Sequence, residues 1–221
     1  MTSSVPYRPK SLEGVSLSLE SEFVVLVGAS SSGKSTMLQL IQKSLQPTSG
    51  KVVTSLARPV YLDRIPPQRY NDRDTIGNLL LPPKRQQPQQ LDTTTNDSNA
   101  LLLQHYSRVL KVNLDQTPAQ LSPSELFRFG LLQASLESIV VQEEEEDEEG
   151  DYTVHSPILL LDEWMDKEAS VVVHKVQESM LQLTREGGVI VYVTHHPHLL
   201  ENQPEQYRTV ALSGGQIISL T

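Results

Sequence analysis

The stretch FVVLVGASSSGKS, residues 23–35, decides the fold of this chain. Its first five residues are apolar, and such an uninterrupted run is typical of a strand that is covered on both faces of a sheet. The glycine-rich turn that follows leads into a segment, Ser35 to Leu45, whose apolar residues recur at helical spacing. This order of strand, turn and helix is what the pattern G-x-x-x-x-G-K-S/T requires of a phosphate-binding loop. A merely flexible serine-glycine turn is the alternative.

The chemistry of this loop follows from its backbone and two of its side chains. Successive N–H groups, reinforced by the positive end of the following helix, would surround the phosphates of a nucleotide. Lys34 is expected to contact the β- and γ-phosphates during catalysis, and Ser35 to place its hydroxyl on Mg²⁺. The predicted nucleotide-binding residues are Gly28, Ala29, Ser30, Ser31, Ser32, Gly33, Lys34, Ser35 and Thr36.

A second apolar strand, PILLLDE at residues 157–163, ends in two acidic residues. Asp162 would emerge at the carboxyl end of its strand, near the loop, where a magnesium carboxylate belongs. Glu163 would direct its carboxylate toward the attacking water as a general base. An acidic pair that only solvates the end of the strand is the alternative.

Strand and helix patterns alternate along the chain, which predicts an α/β fold with a central, mostly parallel sheet flanked by helices. We expect a single domain whose core is formed by residues 1–74 and 154–221. Residues 75–140 would form an inserted helical subdomain that carries a polar loop at 84–99, and residues 142–153 an acidic disordered insert.

The net charge of -9 belongs mainly to one segment. Eight of the 27 acidic residues lie between Glu143 and Asp151, which leaves 19 against 18 lysines and arginines in the rest of the chain. This acidic run predicts a solvated tether, with docking on a basic partner as the alternative. Because the rest is nearly neutral and has no basic patch with interleaved aromatics, we expect no direct nucleic-acid partner.

The chain contains no cysteine, which excludes disulfides and thiolate metal sites. His195, His196 and His198 make only a weak zinc pattern. No segment approaches the roughly 18 apolar residues that would span a bilayer. The first residues, MTSSVPYRPK, lack the apolar stretch of a secretory signal. We therefore expect a cytoplasmic location.

Over nearly its whole length, the sequence resembles the ABC ATPases, the nucleotide-binding subunits of ABC transporters and their non-transport relatives. The resemblance implies a P-loop NTPase fold with an N-terminal antiparallel β subdomain, with ATP and Mg²⁺ as ligands. It also implies that His195 contacts the γ-phosphate and that Tyr7 stacks on adenine, although surface packing of Tyr7 is an equal alternative. The segments that carry the resemblance are LEGVSLSLES, GASSSGKSTMLQLI, PTSGKV (a turn and short strand), TIGNLLLP and VIVYVTHHPHLL.

The letters LSGGQ, the usual signature of that family, occur near the end of the chain at residues 212–216. In the family, the signature begins a helix that caps the nucleotide held by the opposite subunit. Only IISLT follows here, which is too short for a helix. Gly214 and Gly215 are instead predicted to form a tight hairpin turn.

The segment that occupies the topological place of the signature is LSPSELFRFG, residues 121–130. Ser122 is predicted to cap the helix and to bind the nucleotide of the opposite subunit. Pro123 and Ser124 replace the two glycines of the family, so one backbone N–H and the close approach of glycine are lost. Weaker capping of nucleotide across a dimer is the expected consequence. Arg128 stands where the family has an arginine.

Two loops that communicate with partners in the family are also altered. The position of the conserved glutamine aligns with Asp63 or Arg64, and Gln68 fits only if residues are inserted. The loop after Glu163 is short, which makes Asp166 the nearest equivalent of the family's aspartate.

The resemblance implies an ATP-binding and hydrolysing subunit that closes as a homodimer, or as a heterodimer with another ABC ATPase subunit, around MgATP. It would power a separate membrane permease from a peripheral position on the cytosolic face. The alternatives are a non-transport ABC ATPase that acts as a clamp or scaffold, and a pseudo-ATPase that binds ATP without hydrolysis.

Overall fold

The computed structural model shows strands and helices alternating around one sheet. The residues that it describes are 12–54, 57–63, 74–80, 93–139, 156–200 and 207–220. The elements are β1 (Phe23–Gly28), α1 (Lys34–Ile41), β2 (Val60–Leu62), α2 (Ile76–Leu80), α3 (Thr93–Val109), α4 (Pro123–Ser138), β3 (Ile158–Asp162), α5 (Ser170–Arg185), β4 (Val189–Val193), β5 (Arg208–Ser213) and β6 (Gln216–Leu220), with short 3₁₀ turns at Pro118–Gln120 and Pro197–Leu200.

Within the described ranges, six strands form a single sheet in the order β2-β3-β4-β1-β5-β6. Neighbouring strands are parallel except for the final pair, β5 and β6. The α/β fold with a mostly parallel central sheet is therefore confirmed. Strand β1 lies between β4 and β5, and its Val24, Val25 and Leu26 have no exposed surface. An apolar run is required there because helices or loops cover both faces of the strand.

Alternate side chains of the strands point into two hydrophobic cores, one on each face of the sheet. Val25 points into the larger core, where α3, α4 and α5 pack. Val24 and Leu26 point into the smaller core, against Met37 and Leu38 of α1. The period-2 geometry of a strand produces this division.

Helices α2, α3 and α4 come between β2 and β3 in the chain. The end of α4 is fixed to the sheet, because the Ser138 hydroxyl accepts from Ile158 N (2.9 Å) and donates to the Arg58 carbonyl (2.7 Å). The predicted polar loop at 84–99 is wrong in its last part, since α3 begins at Thr93. Polar residues are acceptable in the first turns of a helix, and the apolar period from residue 100 onward provides the packing that holds it.

The segments before β1 and after α1 differ from the sequence predictions. Residues 51–54, expected to include a short strand, belong to no strand. Residues 12–22 likewise form no ladder, yet their partly buried Leu12, Val15, Leu17 and Leu19 pack on the smaller core. Alternating apolar residues are thus buried here by packing alone. An antiparallel arrangement is instead found at the other end of the chain, in the β5–β6 pair.

The hairpin between β5 and β6 confirms the prediction for the LSGGQ letters. Gly214 and Gly215 form the turn with φ values of 56° and 81°. Two consecutive left-handed residues are the geometry of the tight turn that suits twisted antiparallel strands, and glycine adopts it at little cost.

No helix in the described part of the chain is long and apolar enough to cross a membrane. The acidic insert, residues 142–153, lies outside the described residues.

Candidate functional site

The phosphate-binding loop runs from the end of β1 into the start of α1, as its sequence requires. Gly28 has φ 154°, and a Cβ there would lie 2.4 Å from the carbonyl oxygen of Leu212 in β5 and 2.6 Å from Ser32 Oγ. Only glycine can therefore occupy this position without displacing the adjacent strand. Gly33, with φ 106°, makes the second bend directly before the helix.

Lys34 is the first residue of α1 and is only 6% exposed. Its Nζ donates to the carbonyls of Gly28 (2.7 Å) and Ala29 (3.0 Å), which lie at the other end of the loop. The ammonium group is thereby fixed across the loop, where a phosphate would lie. Ser32 Oγ is buried in the same loop and has no partner among the described residues, which leaves it available to a polar ligand.

Asp162 ends β3, two strands away from β1, and faces the loop. Ser35 Oγ lies 3.4 Å from Asp162 Oδ2, and the Tyr61 hydroxyl donates to the same oxygen at 2.7 Å. Burial, and then the carboxylate of Asp162, raise the pKa of the Tyr61 phenol, so it stays a donor. Serine and aspartate oxygens are the hard ligands that Mg²⁺ takes, and the two residues fit the predicted metal role.

Glu163 follows in an unusual backbone conformation, with φ 50°. Its N–H donates to the Val193 carbonyl of β4 at 2.9 Å. Its Oε1 lies 2.8 Å from Nε2 of His195, and both side chains are partly exposed to solvent. A left-handed non-glycine residue costs of order 1–3 kcal/mol and persists only where its surroundings hold it. The structure therefore brings together the predicted general base and the predicted γ-phosphate contact.

Asp166 holds the end of β4 in place beside this pair. Its Oδ1 accepts from the hydroxyls of Tyr192 (2.8 Å) and Thr194 (2.7 Å), and its Oδ2 accepts from the backbone N–H of His195 (2.8 Å). Burial, and then Asp166, raise the pKa of the Tyr192 phenol, which keeps it protonated. The position of His195 thus depends on a carboxylate 29 residues earlier in the chain.

Helix α4 begins at Pro123 with Ser122 as its N-cap, as predicted. The Ser122 N–H and hydroxyl both donate to the carboxylate of Glu125, the former at 2.8 Å. These bonds lower the pKa of Glu125, with the hydroxyl of Ser122 as the main cause. Among the described residues, the hydrogen-bond partners of Ser122 belong to its own helix turn, so the structure does not bring Ser122 to the loop of the same chain. Arg128 Nη2 donates to the Lys175 carbonyl at 3.3 Å.

Three of the sequence predictions cannot be placed. Tyr7, Arg64 and Gln68 lie outside the described residues. Asp63 is described and exposed, just after β2. For zinc, no group of three potential ligands occurs in the described ranges, and His196 and His198 instead make an edge-to-face ring contact.

Sequence reasoning overlooked Tyr61, Trp164 and the two hydroxyls that bind Asp166. Tyr61 could have been found, because it lies at the carboxyl end of a predicted parallel strand and must share a sheet edge with Asp162. Tyr192 lies near the end of another such strand, and Thr194 directly follows that strand. Trp164 directly follows Glu163 and is 4% exposed, and no local pattern indicates what it contacts.

The glycine-rich loop lies between a central strand and a helix, and an acidic pair at the same sheet edge faces it. These features define a P-loop nucleotide-binding domain. The model of the ABC transporter family matches residues 12–217. The chain therefore belongs to the ABC transporter family.

Similar proteins of known family support this assignment. An uncharacterized ABC transporter ATP-binding protein of Mycobacterium tuberculosis is 28% identical over 210 residues, which is 89% of this chain and 76% of that protein. An sn-glycerol-3-phosphate import ATP-binding protein of Rhizobium meliloti is 27% identical over 93% of this chain and 56% of its own length. An energy-coupling factor transporter ATP-binding protein of Acetivibrio thermocellus is 48% identical over 48 residues, and the match spans only 17% of its length.

Solved structures show the same fold. An ATP-binding cassette of an ABC transporter in its ADP conformation has a TM-score of 0.65 at 17% identity, with 95% of this chain and 84% of that chain covered. A dimeric cassette in a post-hydrolysis state, bound to ADP and Pi, has a TM-score of 0.56 at 19% identity, with 96% and 90% covered. The cassette fold of this chain is thus established.

Proposed function

We propose that this chain is the ATP-hydrolysing subunit of an ABC-type complex and that it powers a separate membrane subunit from the cytosolic side. The observation that carries the proposal is the 2.8 Å contact between Glu163 and His195, next to Asp162, Ser35 and the loop that holds Lys34. A general base, a γ-phosphate contact and a phosphate cradle then share one sheet edge. This combination is what hydrolysis of a nucleoside triphosphate needs.

The proposed reaction assigns a separate task to each side chain. Lys34 would bind the β- and γ-phosphates, and His195 would contact the γ-phosphate while its Nε2–H orients the Glu163 carboxylate. Glu163 would accept a proton from water as the water oxygen bonds to the γ-phosphorus and the bond to the leaving ADP oxygen breaks. Mg²⁺, when held by Ser35 and Asp162, would neutralise charge on the phosphates.

We further propose that two cassettes, identical or different, enclose the nucleotides, with Ser122 of one subunit facing the loop of the other. The family membership and the dimeric cassette of the same fold support this proposal. Hydrolysis would then reopen the dimer.

A turnover assay tests the catalytic part of the proposal. The wild-type chain should release phosphate from ATP in the presence of Mg²⁺ at a rate well above that of Lys34→Ala, which loses the phosphate-binding ammonium. Glu163→Gln should bind ATP but lose at least about 10²-fold in kcat, within the range expected for loss of a general base. Equal rates for wild type and Lys34→Ala would refute hydrolysis by this site.

Light scattering tests the dimer. Glu163→Gln with saturating ATP and Mg²⁺ should approach twice the mass of the nucleotide-free chain. A monomer under these conditions would contradict closure of the isolated subunit on itself, and the same measurement with a candidate partner cassette would then test a heterodimer. Copurification with an integral membrane protein in gentle detergent would support transport, whereas a soluble stoichiometric companion would favour a clamp or scaffold.

One observation favours a second candidate function, a subunit that binds ATP without hydrolysing it. The N–H and hydroxyl of Ser122 are already bonded to Glu125, and Pro123 has no N–H to offer. The start of α4 therefore presents fewer donors to a nucleotide on another subunit than a glycine-containing turn would. ATP binding without turnover above the Lys34→Ala rate would identify this function.

A further inference from the structure

Trp164, the residue after Glu163, makes a packing contact that has no part in the proposed reaction. Trp164 is 4% exposed, and its ring meets that of Phe127 edge to face, with centroids 4.8 Å apart and planes at 88°. Phe127 lies in the second turn of α4. The sequence neighbour of the proposed general base is thus packed on the helix that Ser122 begins.

Helix α4 is shaped to receive this ring. Gly130 lies one turn beyond Phe127 on the same face, and a Cβ there would come within 3.0 Å of Trp164 Cζ2 and 3.6 Å of Cη2. That glycine is buried in the interior of the helix, where it costs stability relative to alanine. The close fit of the indole ring gives this otherwise unfavourable residue a physical reason.

The packing also bears on the backbone of Glu163. Its φ of 50° is held on one side by the hydrogen bond from its N–H to Val193. On the other side, the next residue, Trp164, is fixed by its packing against Phe127 and Gly130. Burial of an aromatic ring, with about 0.5–1.5 kcal/mol more for a well-oriented aromatic pair, is enough to offset much of the local strain.

We infer that Trp164 is a positioning residue, which transmits the placement of α4 to the Glu163 carboxylate. The inference rests on the proposed hydrolytic function. It goes beyond that function by naming the contact through which α4 influences the Glu163 carboxylate. If α4 shifts when nucleotide is bound, the indole ring must shift with it, and Glu163 is the adjacent residue in the chain.

The chain offers a clean substitution for the first test. The Trp164 Nε1 is buried without an acceptor among the described residues, so Trp164→Phe removes an unsatisfied donor and keeps an aromatic ring. Gly130→Ala perturbs the same contact from the helix side and leaves Trp164 intact. Val210→Ala is the matched control, because Val210 is fully buried but belongs to the smaller core on the other face of the sheet.

At a temperature where all variants are folded, Trp164→Phe and Gly130→Ala should each lower kcat by about 10- to 100-fold, as expected for misplacement of a catalytic group. Their dissociation constants for ATP should stay within about twofold of wild type, since the loop is untouched. Val210→Ala should keep both values. An unchanged kcat in Trp164→Phe, or an equal loss in Val210→Ala, would overturn the inference.

A second measurement does not depend on hydrolysis. Trp164 is the only tryptophan in the sequence, so tryptophan emission reports the surroundings of this ring. Addition of a non-hydrolysable ATP analogue with Mg²⁺ should change its emission with the same midpoint as binding measured by calorimetry, and Lys34→Ala should abolish both. Binding without an emission change would refute the coupling, whereas an emission change in a chain without turnover would support it and refute only the hydrolytic proposal.

Discussion

Replacement of Asp166 by alanine should be among the most damaging single changes in this chain. The carboxylate accepts from two hydroxyls, those of Tyr192 and Thr194, whose residues are 1% and 2% exposed. Each buried donor left without an acceptor costs about 1–3 kcal/mol. The backbone N–H of His195 loses its partner as well, but that residue is exposed and water can replace the carboxylate. We therefore expect the free energy of unfolding to fall by about 3–5 kcal/mol.

Urea denaturation gives the test. With a slope of about 2–3 kcal/mol per molar for a chain of this size, the midpoint should fall by about 1–2.5 M. Asp166→Asn separates stability from positioning. Its amide oxygen can still accept from the two hydroxyls, but its NH₂ would face the N–H of His195. This variant should lose less stability than Asp166→Ala and still lower kcat, because His195 and its contact with Glu163 are displaced.

A double-mutant cycle with Tyr192→Phe should give a coupling free energy of about 1–3 kcal/mol between Asp166 and Tyr192. Asp115→Ala is the control, because this exposed aspartate should change stability by no more than about 0.5 kcal/mol. A loss below about 1 kcal/mol in Asp166→Ala, or a coupling near zero, would refute the reasoning.

Two further changes test other parts of the structure. Gly28→Ala should weaken ATP binding at least about tenfold and lower stability by about 1–3 kcal/mol, because its Cβ would meet the Leu212 carbonyl at 2.4 Å. Calorimetry and urea titration would show this, and Gly214→Ala, which has left-handed φ but open space, should spare ATP binding. For Glu125, the folded-state pKa lies below its ordinary value of 4.5, so its stabilising contribution is present above that pH and is lost as the pH falls through the lower folded value. Glu125→Gln should therefore lower the urea midpoint at pH 7 and lose this effect as the pH falls through the lowered folded-state pKa, and an equal difference at neutral and at acid pH would contradict the capping role.

The fold could be predicted wherever a local pattern fixes the structure. The apolar run of β1, the loop that follows it and the apolar strand that ends at Asp162 each carry their own signal. The hairpin at Gly214 and Gly215 followed from two consecutive glycines, which suit a tight turn. In these places, sequence spacing and backbone geometry suffice.

The rest of the site depends on residues that are distant in sequence. Tyr61 and Asp162 are 101 residues apart, and Asp166 meets Thr194 across 28 residues. The start of α3 at Thr93 depends on tertiary packing. Whether residues 51–54 form a strand depends on the presence of a pairing partner. No local pattern contains that information. The assigned roles of the loop, Glu163 and His195 stay predictions until turnover is measured.

The left-handed backbone at Glu163 places two demands on one codon. Glycine, asparagine and aspartate tolerate that conformation, whereas branched side chains such as valine and isoleucine do not. A saturation library at this position would therefore separate shape from charge, since glycine and asparagine should preserve expression while losing turnover, and valine or isoleucine should lose both. Tolerance to substitution at position 163 would then be governed by main-chain geometry as much as by acidity.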